Sequence, residues 1–238
     1  MKKHHNDSNE SLDFIPFDSQ IEFNSRIKVF SSLHYIPVLA SLIFTITCIA
    51  PFISSLLLGR HYSIKIPTIS ESAREFPGSK IFNVGSTIAG ILVAFAGNIL
   101  LDVPSLYGPS FPVYTKILPS MIAFFFIFVS GFGLDDNVFI HLTCALVGFF
   151  AMLVFSIFIY MVFSQIRIIK WKWLKLISLI CGSISLISLA ITWPRGNLDP
   201  IGSIKSLSEF IFVFAFSLFV LSWYKDLENY EIIIRFSR

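Results

Sequence analysis

Charged residues are scarce in this chain: Asp, Glu, Lys and Arg make up 14% of its 238 residues and are nearly absent from six long stretches. That scarcity excludes a soluble helical protein, because helices that meet water need a polar face and a small domain cannot bury every side of every element. Cysteine is equally thin. Cys48, Cys144 and Cys181 all fall inside apolar stretches, and an odd number so scattered makes no disulfide framework, so they read as small packing residues. A formal net charge of +3 is too slight for a nucleic-acid footprint, and no nucleic-acid module is visible. The spacing signatures of catalysis are missing too: the chain has no nucleophile elbow, no zinc-type HExxH and no H-x-x-x-x-D acyltransferase motif. It calls for no metal and no cofactor.

What it has is hydrophobic length. A spanning helix needs about 20 apolar residues, and the pattern predicts spans over 35–58, 81–101, 117–134, 137–166, 176–193 and 207–224, the last uncharged from Phe210 onward. The expected fold is all-α: a polytopic membrane protein with six transmembrane helices in residues 35–224, an amino-terminal tail in 1–34 and a carboxy-terminal tail in 225–238. The polar residues ahead of the first span argue against a cleaved signal peptide, so that tail is expected to remain. Lys and Arg near spans are retained on the cytoplasmic side. With both termini cytoplasmic, that side holds twelve of the eighteen cations, so both tails are expected in the cytoplasm and the sequons at Asn6 and Asn9 are expected to stay bare.

The second span carries small residues at four-residue spacing, Gly85, Ala89 and Gly97 on one stripe, Gly90, Ala94 and Asn98 on the next. Such stripes let helix backbones approach closely where lipid gives no hydrophobic drive between helices, which predicts a central position for this span. Trp171, Trp173, Trp193, Trp223 and Tyr224 lie at predicted span ends and read as interface markers. Between the fourth and fifth spans, Arg167, Lys170, Lys172 and Lys175 alternate with rings; they are expected to gather anionic lipid or simply to anchor the topology. Phe14 to Phe30 lacks clean periodicity and reads as a surface-lying or loose segment. Tyr230 and Ile233 form a tyrosine-x-x-apolar pattern of the kind read by sorting adaptors.

Chemistry concentrates on one predicted membrane surface. The loop after the first span is built around Pro67-Thr68-Ile69-Ser70, and the fourth span opens on Asp135-Asp136-Asn137 with His141 one turn later. Ser70, Asp136 and His141 are the candidate catalytic residues, with His61, Glu71 and Glu209 expected near the same surface. A hydroxyl, a base and polar groups screened from water are what lipid-headgroup binding or transacylation requires. The same residues also suit plain roles: Ser70 in a turn, the carboxylates as caps of a helix start.

Pro67, Ile69 and Ser70 after the first span, then Pro77, then Phe82 and Gly85 opening the second, resemble the DRAM family of six-span proteins. That family includes the damage-regulated autophagy modulators, a plasma-membrane protein tied to phosphoinositide signalling and a Golgi factor acting on GPI-anchor lipids. The resemblance implies a factor in GPI-anchor lipid remodelling, working at the luminal leaflet of the ER or Golgi, with membrane lipids and GPI-anchored proteins or anionic phospholipids as partners. The alternative it admits is a non-enzymatic membrane regulator of autophagy and lysosomes or of phosphoinositide and lipid organisation. The His and acidic cluster of this chain is displaced from the family pattern. Transport ranks third, because the spans lack the charges and midplane breaks that transporters use.

Overall fold

The computed structural model describes residues 26–30, 32–59, 66–106, 113–134, 136–192, 201–228 and 232–235. Its elements in order are β1 (Arg26–Phe30), α1 (Tyr35–Leu57), the one-turn α2 (Ile69–Ser72), α3 (Gly78–Asp102), α4 (Ile117–Gly131), α5 (Val138–Gln165), α6 (Lys172–Thr192), α7 (Ile201–Asp226) and β2 (Ile232–Arg235). Five of these helices, α1, α3, α5, α6 and α7, are long and apolar enough to cross a membrane, and α4 is a shorter apolar helix. At 1.5 Å per residue α4 extends only about 22 Å. It stops at Gly131, short of the expected Leu134, because Phe132 turns to an extended conformation.

The bundle is apolar outside as well as within, unlike a soluble protein, and small hydroxyl side chains are scattered through its hydrophobic core. Ile46, Ile88, Phe95, Phe124, Ile184 and Phe214 are among its exposed large side chains, whereas Ser41, Thr47, Ser86, Ser185, Ser206 and Ser222 are buried. Several buried hydroxyls return to carbonyls of their own helix, as Ser86 Oγ donates to Phe82 O at 2.6 Å and Ser206 Oγ to Gly202 O at 3.0 Å. Others cross between helices: Ser41 donates to Ser217 O at 2.8 Å, Ser208 to Ser188 Oγ at 2.7 Å, and Thr87 pairs with Ser130 at 2.9 Å. An apolar exterior around helices whose backbone is bonded internally is the arrangement lipid demands. The chain is an integral membrane protein.

Helix α3 packs between α1 and α4. Gly85 lies against Thr47 of α1, Gly90 against Phe126 and Ala123 of α4, and Gly97 against Pro119 and Phe155, with Ala89 fully buried beside them. Ala94 and Asn98 are half-buried, and Asn98 Nδ2 donates to Ala94 O of its own helix at 2.8 Å. A Cβ at Gly90 would come within 2.9 Å of Phe126 Cβ and 3.3 Å of Ala123 Cα. Gly90→Val is therefore expected to cost about 1–3 kcal/mol through overpacking. Gly182→Ala, whose Cβ would meet nothing nearer than 4.0 Å, should leave the melting temperature in detergent unchanged and serves as the control.

The sequence boundaries fail where charges enter helices. Lys175 was expected on a lipid-facing loop, yet α6 begins at Lys172 and the Lys175 side chain is fully buried, 2.8 Å from Asp226 Oδ2 and donating to Lys170 O at 2.7 Å. It has no headgroup to meet. Arg167, Lys170 and Lys172 are exposed, although Lys170 Nζ also lies 3.8 Å from Glu228. Trp223 is likewise no interface marker, being fully buried edge-on to Phe155 and Phe219. Trp171 and Trp173 are exposed.

The carboxy-terminal end of the first tail is not loose: β1 pairs antiparallel with β2, Arg26 opposite Arg235 and Lys28 opposite Ile233. Below the ribbon, His34 and Tyr35 stack around Tyr224, with ring centroids 5.2 and 5.9 Å apart. Residues 1–25, His61, Asp135, Trp193 and Tyr230 lie outside the described residues.

Candidate functional site

The loop face, opposite the β-ribbon, holds α2, the start of α5 and the first turns of α7. Thr68 and Glu71 close α2 as a capping box: Glu71 N donates to Thr68 Oγ1 at 3.1 Å and Thr68 N to Glu71 Oε2 at 2.9 Å. Ser72 Oγ adds a bond to Thr68 O at 2.8 Å. Reciprocal capping satisfies donors that a helix start otherwise leaves open, so this short element holds one shape. Pro67 and Ile69 are buried, and the Ile69 N–H donates to Glu209 Oε2 of α7 at 3.0 Å. The turn is thereby pinned to the bundle by an apolar anchor and a carboxylate, and Ser70 is aimed by both.

Ser70 Oγ lies 2.9 Å from His141 Nε2. His141, 2% exposed, places its Nδ1 2.7 Å from Phe132 O. A carbonyl only accepts, so in the neutral ring Nδ1 carries the proton and Nε2 presents its lone pair to the Ser70 hydroxyl. That is the tautomer a general base needs. The carbonyl is available because Phe132 has left the α4 helix in an extended conformation. A hydroxyl on a histidine that is itself oriented by a third group is the generalised nucleophile arrangement.

Asp136 does not join this pair, contrary to the inward cluster expected from sequence. It is exposed, and its Oδ2 accepts from Gly133 N at 2.9 Å, closing the turn between α4 and α5. Asn137 caps α5 by accepting from Ile140 N at 3.0 Å. Both therefore spend their oxygens on backbone donors at the helix start, which leaves His141 as the inward member.

Ser70 opens onto a cleft of about 450 Å³, within the range of small-molecule sites. One end is polar, with Thr68, Glu71, Arg74, Lys205 and Glu209, and the rest is apolar, with Leu134, Val138, Leu142, Phe149 and Leu189. A second, inner cavity of about 30 Å³ shares Ser70, Ala145, Phe149 and Glu209 with it, room for little more than a water. Glu71 and Glu209, expected near this surface, both line the cleft, whereas Arg74 and Lys205 were not singled out in the sequence. The available signal was their helical spacing, Arg74 three residues after Glu71 and Lys205 four before Glu209.

The motif residues of the loop fall around this site. Ile69 and Ser70 form α2, Phe82 lines the inner cavity, Gly85 seats α3 on α1, and Pro77 caps α3. No curated protein and no solved structure matches the chain. Residues 32–230 match the profile of the Frag1/DRAM/Sfk1/Cwh43P N-terminal domain, which takes in every membrane helix and the whole Ser70–His141 site, and the chain belongs to that family.

Proposed function

We propose that this protein remodels the lipid of GPI anchors by acyl transfer at its loop face, in the lumen of the ER or Golgi. The observation that carries the reading is the Ser70–His141–Phe132 series at 2.9 and 2.7 Å, opening on a cleft with a polar end and apolar walls. In it, His141 Nε2 takes the proton of Ser70 Oγ as the oxygen attacks an ester carbonyl, and returns it to the departing alcohol. Arg74 and Lys205 line the polar end, where a phosphate or a developing oxyanion finds positive charge. Asp136 has no part in the chemistry.

The orientation follows from two supports. Val113–Lys116 runs as a tighter 3-10 turn directly into α4, which lengthens that segment to about 30 Å, the thickness of the hydrocarbon core. Six crossings bring both ends of the chain to one side, in keeping with the β1–β2 pairing. Positive charge puts that side in the cytoplasm and the Ser70 face in the lumen.

The test is rescue in cells lacking the GPI-lipid remodelling relative. Expression of this chain is expected to restore surface retention of GPI-anchored proteins and the acyl composition of their anchors, with Asp136→Ala as active as the unaltered chain and Ser70→Ala inactive at equal abundance. Unchanged anchors with correct membrane insertion would overturn the reading in favour of a regulator without catalysis.

A further inference from the structure

The cleft beside Ser70 has a shape that bears on where the acyl group comes from. Helices α5 and α7 bridge the space between them with aromatic rings in the middle and toward the ribbon end, Phe149 and Phe212 4.6 Å apart and Phe155 and Trp223 5.8 Å apart. At the loop face a cleft lies between them, lined by Val138, Leu142 and Phe149 on α5, Leu189 on α6 and Lys205 and Glu209 on α7. Val138, the first residue of α5, is 52% exposed, so the apolar wall runs from the exterior of the bundle inward. From Val138 to Phe149 it extends about 16 Å along the helix axis. Charge is confined to the loop-face end, where Arg74 and Lys205 stand beside Glu71 and Glu209.

We propose that this cleft is a lateral portal for a glycerophospholipid, which serves as the acyl donor. This rests on the acyl-transfer reading above. The occupant is fixed by chemistry and size. One acyl chain fits an apolar wall of that length in a volume of about 450 Å³, and a phosphate with an amine suits a rim carrying both signs of charge. A soluble nucleotide thioester suits neither a long apolar wall nor a rim with as many carboxylates as cations. With the chain along Leu142 and Phe149, the donor ester lies at the level of Ser70. Ser70 Oγ then bonds to the ester carbonyl carbon, the carbon–oxygen bond to glycerol breaks, and the Ser70 proton passes through His141 Nε2 to the glycerol oxygen, releasing a lysophospholipid. An acceptor hydroxyl attacks the Ser70 ester in turn, giving its proton back through His141 and regenerating Ser70. No oxidant, metal or further reactant is consumed. Leu142 and Val138 are thereby specificity-determining residues for the donor chain.

The full-length protein in nanodiscs, incubated with phosphatidylcholine carrying a radiolabelled acyl chain, reads this directly. Transfer of label to the protein is expected, stable to neutral hydroxylamine but released by alkali, as an oxygen ester on serine and unlike a thioester on Cys48 or Cys144. It is expected to vanish in Ser70→Ala and to fall at least tenfold in Leu142→Trp. Val138→Trp, at the exposed rim, guards against misfolding of the Leu142 variant and is expected to fall at least threefold with its melting temperature unchanged. Binding is followed separately with a phosphatidylcholine bearing a diazirine in its chain, expected to crosslink to α5 in the unaltered protein and in Ser70→Ala alike. Label taken from an acyl thioester and not from phosphatidylcholine would overturn the donor while leaving acyl transfer standing. Crosslinking to α5 without transfer to the protein or to any acceptor would overturn the acyl-transfer reading itself, and crosslinking unaffected by either tryptophan would overturn the portal.

Discussion

Replacing His141 by alanine is expected to lower acyl transfer by about 100- to 10,000-fold, the usual contribution of a positioned general base, with the helical bundle intact. The size of the effect follows from the geometry. His141 Nε2 is the group that faces Ser70 Oγ, at 2.9 Å, and Phe132 O at 2.7 Å holds the ring in the tautomer that accepts a proton. Removing the imidazole leaves Ser70 a poor nucleophile at neutral pH. The structural loss is smaller: two hydrogen bonds of a buried side chain, at about 1 kcal/mol each. His141→Gln separates the two contributions, because the amide can still hydrogen-bond but cannot take a proton. Anchor acyl composition and thermal melting of the two variants are the measurements. Loss of transfer in both with melting preserved is the expected result; full activity in the glutamine variant would show that His141 only holds the loop in place.

The largest effect on stability is expected at the opposite end of the bundle. Lys175 and Asp226 form an ion pair at 2.8 Å with both side chains fully buried. Asp226 also accepts from Lys170 N at 3.3 Å, and Lys175 donates to Lys170 O, so the pair ties the α5–α6 connection to the end of α7. Breaking one half of such a pair strands the other charge away from water, at a cost of about 3–5 kcal/mol. Lys175→Ala or Asp226→Ala alone should therefore lower the melting temperature in detergent sharply. Lys175→Met with Asp226→Leu removes both charges and keeps volume, and is expected to come close to the unaltered protein. A double variant as unstable as either single one would mean that the pair contributes through its hydrogen bonds to the connection rather than through charge.

Much of this architecture was legible because lipid imposes a simple rule. Uncharged length gives the apolar helices, and small residues at four-residue spacing gave α3 its contacts, since Gly85, Gly90 and Gly97 each meet a neighbour too close for a side chain. Charge marked the ends of α5, between Asp136 and Arg167, but failed as a boundary at Lys175 and Asp226, which lie inside α6 and α7. Lys175 and Asp226 sit inside helices because each neutralises the other, and pairing between residues distant in sequence leaves no periodic trace. Ser70 and His141 were legible as residue types on one surface, but their contact spans 71 positions and depends on Phe132 leaving its helix. Asp136 looked equivalent to His141 because a carboxylate near a helix start has the same sequence signature whether it faces a site or closes a turn. The paired strands at the two ends were invisible for the same reason as the ion pair: β1 and β2 are four or five residues each and gain definition only from one another.

Whether His141 makes Ser70 a nucleophile is read by covalent labelling of the membrane-embedded protein with a long-chain fluorophosphonate, followed by mass spectrometry of the Ser70 peptide. Modification is expected at Ser70, none in Ser70→Ala and at least a hundredfold slower modification in His141→Ala. An unmodified Ser70 in a folded protein, under conditions where a known serine hydrolase is fully labelled, would contradict a nucleophilic Ser70.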